Sequence, residues 1–227
     1  MRNLWLIWKN PKTRRRFRVG TLSFDKNNKK YEFEYTNPEL DEAKEGGFVS
    51  FPGFNALDKK YESDNLFPNI TSRFPNPERP DYLEILNSYN LNSNSTDEEI
   101  LEATKGRLMT DNFEFVPEFD KTRIEFDVAG IRHLGNFDKI KNLIQDNDVL
   151  KLKLDPENEH DKYSIKVCYS GDNDEEIELG FVPRYYSKQL TELLGTKKYS
   201  AMVKRIRFDR KIPDEFISVS VKLVFEQ

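Results

Sequence analysis

Side chains able to do nucleophilic or metal chemistry are few in this chain of 227 residues. There is one cysteine, Cys168, and two histidines, His133 and His160. These cannot build a Cys/His-rich zinc centre without several carboxylates. Cys168 sits in an apolar run that reads as a strand interior, where a thiol is buried and inert. His160 and Asp161 are sequence neighbours, which is no sign of a relay. Residues 172–178 (DNDEEIE) lack the spacing and glycine of a calcium loop and read as an exposed acidic hairpin tip. No glycine-rich phosphate loop or kinase-type catalytic run is present. The expectation is a protein that is not an enzyme, with no catalytic residues, no metal and no cofactor.

What the sequence offers instead is charge in runs. Residues 2–18 carry seven cations (Arg2, Lys9, Lys12, Arg14, Arg15, Arg16 and Arg18) and no acid. Residues 197–211 carry another seven, Lys197, Lys198, Lys204, Arg205, Arg207, Arg210 and Lys211, against Asp209 alone. The net charge is −4, so any polyanion binding must come from a local patch rather than bulk charge. The first run fits either a guarded, solvated strand edge or a polyanion contact. The second fits either a plain polar hairpin or a groove that tracks a phosphate backbone.

The elements that must position these groups are mostly strands. Residues 3–9 (NLWLIWK), 14–24 (RRRFRVGTLSF, with Gly20 a bulge or close approach) and 30–36 (KYEFEYT) predict a three-stranded meander. FVSFPGF (48–54) reads as an ordered loop packed on the core. Helices are expected at 39–45, at 81–90 with Asp81 as N-cap, and at 96–105, where Thr96 and Glu99 form a capping box. Beyond 121 the order is strand 124–129, helix 137–145, strands 148–154, 163–169 and 177–182, helix 184–194, then strands 198–208 and 215–225. The fold class is α+β and β-dominated. A boundary near 116–122 divides a small antiparallel sheet with short helices (1–121) from an OB-like six-stranded barrel with two helices (122–227).

Three blocks in the second half carry a resemblance: VAGIRHLGN (128–136), DVLKLKLDPENEHDKYSIKV (148–167) and LGFVPRYYSKQLTELL (179–194). Together they resemble the HIRAN domain, which implies an OB-like barrel that binds single-stranded DNA or DNA ends. By that resemblance Arg132, Asn158, Asp161 and Arg184 fall at polar contact positions. Phe181 falls at an aromatic or His position, and Phe216 near a base-contacting aromatic. His133 and His160 stand where a well-studied member of the family has tyrosines that stack on bases. Single-strand binders combine cations for phosphate with flat faces for bases. Arg132, Arg184 and Lys162 supply the former here, and His133, His160, Phe181 and Tyr185 the latter. Asn158 and Asp161 equally suit a purely local role, fixing a loop through side-chain-to-backbone bonds. Histidines beside phosphate would make binding stronger at acidic pH.

The first half more loosely resembles the N-terminal subdomain of HipA-type kinases, through RVGTLSFD (18–25), KYEFEYT (30–36), FVSFPGF (48–54) and residues 66–82. That implies a partner-docking domain over 1–121. It also leaves a different-class alternative, an antitoxin-like regulatory subunit of a HipA-type kinase system with no DNA contact. A bacterial defence, repair or toxin-control setting follows from the same resemblances. One cysteine suggests a reducing, cytoplasmic compartment. The apolar LWLIW run (4–8) is too short for a signal core, and no segment approaches the roughly 20 apolar residues of a membrane span.

Overall fold

The structure, a computed structural model, describes residues 3–25, 27–36, 39–131, 143–171, 176–208 and 217–226. It divides into two compact units, Met1–Glu118 and Phe119–Gln227. Among the described residues no helix is long and apolar enough to cross a membrane.

The first unit is built on five antiparallel strands, β1 (Leu4–Lys9), β2 (Arg16–Asp25), β3 (Lys30–Tyr35), β4 (Tyr61–Ser63) and β5 (Phe113–Pro117), in the order β4-β3-β2-β1-β5. The meander is present, flanked by two short strands that the sequence patterning does not announce. Leu4, Trp5, Leu6 and Ile7 are all buried, which is why this strand is continuously apolar rather than alternating. Gly20 lies beside the bulge opposite Leu6 and Ile7. A Cβ there would meet the Phe33 ring at 2.8 Å. Phe33 in turn stacks on Phe54 with centroids 4.2 Å apart. The FVSFPGF loop is pinned by Tyr35, whose hydroxyl accepts from Phe51 N (2.7 Å) and donates to Phe54 O (2.6 Å).

Four short helices, α1 (Leu40–Glu45), α2 (Pro68–Thr71), α3 (Tyr82–Ser88) and α4 (Asp97–Thr104), complete this unit. The α4 capping box forms as expected. Asp81 takes the N-cap place of α3 without capping it; its carboxylate pairs with Arg79 at 2.8 Å instead. Arg73 is buried and binds Asp111 through both terminal nitrogens, at 2.6 and 2.8 Å. Glu114 is buried on β5 between Arg16 and Arg107.

The second unit is a six-stranded antiparallel sheet, β6 (Arg123–Asp127), β7 (Val149–Leu154), β8 (Ile165–Ser170), β9 (Glu176–Phe181), β10 (Tyr199–Phe208) and β11 (Ile217–Phe225), with helix α5 (Arg184–Leu194). The order is β6-β11-β10-β7-β8-β9. The sheet curls into a half-barrel. The chain just past β6 reaches the far edge, where Ala129 and Phe181 exchange two backbone hydrogen bonds of 2.8 Å. That approach requires Gly180, at φ +131°, because a Cβ there would lie 2.3 Å from the Ala129 carbonyl oxygen. The helix expected at 137–145 falls largely on residues outside the described set.

Gly180→Ala should therefore lower stability by roughly 2 kcal/mol or more, read as a reduced urea midpoint with an unchanged slope. A second expectation concerns Glu114. Burial pushes its carboxyl up, but Arg107, Arg16 and Lys105 outweigh that and hold it at about 2, against an ordinary 4.5. A carboxyl depressed on folding adds stability above its ordinary value, and that part is lost as pH falls toward about 2. The loss should amount to about 3 kcal/mol, and acid titration of Glu114→Gln should lack it.

Candidate nucleic-acid interface

The loop between β7 and β8, residues 155–164, is organised by its own side chains. Asn158 Oδ1 accepts from the backbone of His160 (3.0 Å) and Asp161 (3.2 Å), and its amide donates to Asp155 at 3.1 Å. Asp161 Oδ1 accepts from Tyr163 N at 3.0 Å. These are local turn bonds of the kind Asn and Asp make in place of regular structure.

Helix α5 then fixes the loop from outside. Arg184, Ser187 and Thr191 lie three and four residues apart, so they share one helix face. Arg184 Nη1 donates to His160 O at 3.2 Å. The Ser187 hydroxyl donates to Asp161 Oδ2 at 2.7 Å, with Arg184 O as a second acceptor at 2.8 Å. Thr191 donates to Tyr163 O at 3.2 Å. Ser187 is 1% exposed, so this contact is an interior one. Nothing in the sequence pattern singles out Ser187, because a serine within an amphipathic helix carries no signal until its partner loop is placed.

The outcome is a rim with three exposed or half-buried groups held together: His160, Lys162 and Arg184. The Lys162 ammonium lies 5.1 Å from the Tyr163 ring centroid. Arg184 opens α5 behind Pro183, which as N-cap residue supplies no side-chain cap, and no acid lies in the first turn of the helix. A cation at a helix N-terminus opposes the helix dipole, an arrangement that a bound anion relieves. Phe181, half-buried, is placed by the Ala129 bridge three residues earlier in the chain than Arg184.

Other expected site residues fare differently. Asn158 and Asp161 have their side chains committed to loop and helix, so they shape the site through position. Tyr185 is 6% exposed, its ring packed edge-on to Tyr186 at 4.6 Å; it belongs to the core and offers no face to a base. Arg132, His133 and Phe216 lie outside the described residues. In the 197–211 run Lys204 pairs with Glu125, which also takes Arg123, while Lys197 and Lys198 are exposed. Arg210 and Lys211 lie outside the described residues. Across the sheet, Lys153 on β7 pairs with Glu176 on β9 at 2.6 Å, and Lys166 on β8 with Glu178 on β9 at 3.3 Å. Burial, reinforced by Glu176, pushes the Cys168 thiol up to about 11. At neutral pH it is no nucleophile.

The loop, the helix and the closing strand all fall within one stretch that matches a known family. Residues 121–226 match the family model of the HIRAN domain. The match covers just under half of the chain, and over that stretch the chain is similar to the HIRAN domain. A crystal structure of the HIRAN domain of human HLTF aligns over 46% of this chain and 75% of that one, at 18% identity and a TM-score of 0.34. No curated protein matches the chain. The HIRAN match begins at residue 121 and lends no support to the HipA-like reading of the first half.

Ser187→Ala should leave Asp161 without its buried donor and cost about 1–3 kcal/mol. Hydrogen exchange should quicken at the amides of residues 160–164, and unchanged protection there would mean that the loop holds its shape without the helix.

Proposed function

We propose that this chain binds single-stranded DNA or DNA ends through its HIRAN domain, as a binding protein without catalysis. The observation that carries the reading is the His160–Lys162–Arg184 rim, with Arg184 opening α5 and tied to the loop backbone at His160 O. The match of residues 121–226 to the HIRAN domain supports it. Phosphate would sit against Arg184 and Lys162, and His160 and Phe181 would offer flat faces to bases. The raised thiol of Cys168 favours binding over covalent chemistry. A single cysteine suits a reducing, cytoplasmic setting.

A protein-docking role for residues 1–121 rests on sequence resemblance alone. So does the alternative, a regulatory subunit of a HipA-type kinase system that never touches DNA.

Fluorescence anisotropy with a labelled single-stranded oligonucleotide separates the two readings. Direct binding should weaken steeply with salt, and Arg184→Ala should reduce the log–log salt slope by about 0.7 while the protein stays folded. Full affinity in a folded Arg184→Ala variant would remove this site, and no binding by the unaltered chain would favour the regulatory subunit.

A further inference from the structure

The tyrosines of the second unit spend their side chains unequally. Tyr185 and Tyr186 pack on one another with centroids 4.6 Å apart, and Tyr186 also meets Phe119 at 6.2 Å. Tyr199 uses its hydroxyl on β7, accepting from Leu152 N at 3.0 Å and donating to Leu152 O at 3.3 Å. Tyr163 does neither. It is half-buried, and among the described residues its hydroxyl makes no hydrogen bond and its ring meets no other ring. The group that lies over the ring is the Lys162 ammonium, 5.1 Å from the centroid.

The backbone beneath that ring is fixed on both sides. Tyr163 N donates to Asp161 Oδ1 (3.0 Å), and Tyr163 O accepts from the Thr191 hydroxyl on α5 (3.2 Å). The next residue, Ser164, donates from its N to Asp161 O (2.9 Å) and accepts at its O from Asp155 N (2.8 Å). Ser164 and Ile165 are buried where β8 begins. The ring therefore rises from a rigid base, three residues after His160, and is tied to the same helix that carries Arg184. A tyrosine side chain has only two torsions to fix, so ordering its ring against a ligand costs little. A half-exposed ring with no ring partner, beside an exposed cation and on a rigid loop, meets the requirements of a stacking platform for single-stranded nucleic acid.

We propose that Tyr163 is a base-stacking residue of the DNA site and that Lys162 is its exchangeable cover. The inference rests on the single-strand reading above and adds to it a residue and an order of events. In the free protein the ammonium lies over the ring, a contact that is weak at an exposed position. A nucleotide offers each group a better partner. Its phosphate takes the ammonium, and its base takes the place vacated over the ring. Stacking releases no counterions, so its loss lowers affinity without changing the salt dependence, whereas loss of an arginine on phosphate changes both.

The test is anisotropy over a salt series, on the full chain, with a labelled single-stranded oligonucleotide and an abasic strand of the same length. Tyr163→Leu keeps apolar bulk and removes the flat face. It should bind the base-bearing strand roughly tenfold more weakly with an unchanged log–log salt slope, and lose nothing on the abasic strand. Tyr163→Phe, which keeps the flat face, should show no such loss. If Tyr163→Leu binds the base-bearing strand at full strength while Arg184→Ala weakens, the stack is overturned and the phosphate rim stands. If Tyr163→Leu loses affinity for both strands alike, the ring only supports the loop and the stack is overturned. Tyr163→Trp reads the contact directly, whether or not the leucine variant folds. Quenching of its added indole emission by the base-bearing strand and not by the abasic one supports the stack, and no quenching by a bound base-bearing strand overturns it. No DNA binding by the unaltered chain overturns the single-strand reading, and the stack with it.

Discussion

The paired backbone bonds between Ala129 and Phe181 are the constraint on which the second unit depends. They join the chain beyond β6 to the far strand of the sheet and turn a curved ladder into a half-barrel. The approach is so close that only a residue without Cβ fits at position 180. Because β9 ends at Phe181 and α5 begins at Arg184, fixing that strand end also fixes where the helix starts. The helix start decides where Arg184 and Ser187 point, and those two residues hold the β7–β8 loop. A buried glycine contact therefore sets the geometry of the His160–Lys162–Arg184 rim.

The rim separates residues that position from residues that remain open to a ligand. Asn158 and Asp161 spend their hydrogen-bonding capacity on backbone amides and on Ser187. His160 and Lys162, between and beside them, are exposed. Such a division suits a site for a flexible strand. Rigid turn chemistry removes the entropy cost of ordering the loop at the moment of binding, while the exposed groups still adapt to successive nucleotides.

The sequence made the C-terminal strands legible because each alternates or runs apolar over five or more residues between clear turns. The HIRAN blocks were legible because three separated segments agree in order. The α4 capping box was also readable, since its contacts lie three residues apart, and the FVSFPGF loop was readable from its Phe and Pro content although Tyr35 pins it from 16 residues away. Elements that depend on distant partners were not. β5 is five residues ending in proline, and it becomes a strand only because β1 lies beside it. Tyr185 reads as a surface ring on a helix that follows the site, yet packing against Tyr186 places it in the core. Ser187 and Arg73 carry no local signal at all, because Asp161 and Asp111 lie 26 and 38 residues away in sequence. Asp81 shows the limit of a capping rule: Arg79, two residues away, takes both carboxylate oxygens in a two-point ion pair, at 2.9 and 2.8 Å, and neither is turned to the helix end.

Charge runs show the same limit most sharply. A count along the chain treats Lys204 and Lys12 alike. In the fold Lys204 meets Glu125, from a strand 79 residues earlier, and much of its field is cancelled. Lys12 projects from a turn whose acids, Glu42 and Glu114, are already engaged by Arg15, Arg16 and Arg107. Burial of Glu114 among three cations shows the reverse case, an acid that distant partners keep charged. A carboxylate held ionised at about 2 is a fixed negative anchor, and it orients two arginines without neutralising them both. Local excess, and not sequence density, is what an incoming phosphate senses within a Debye length of about 8–10 Å.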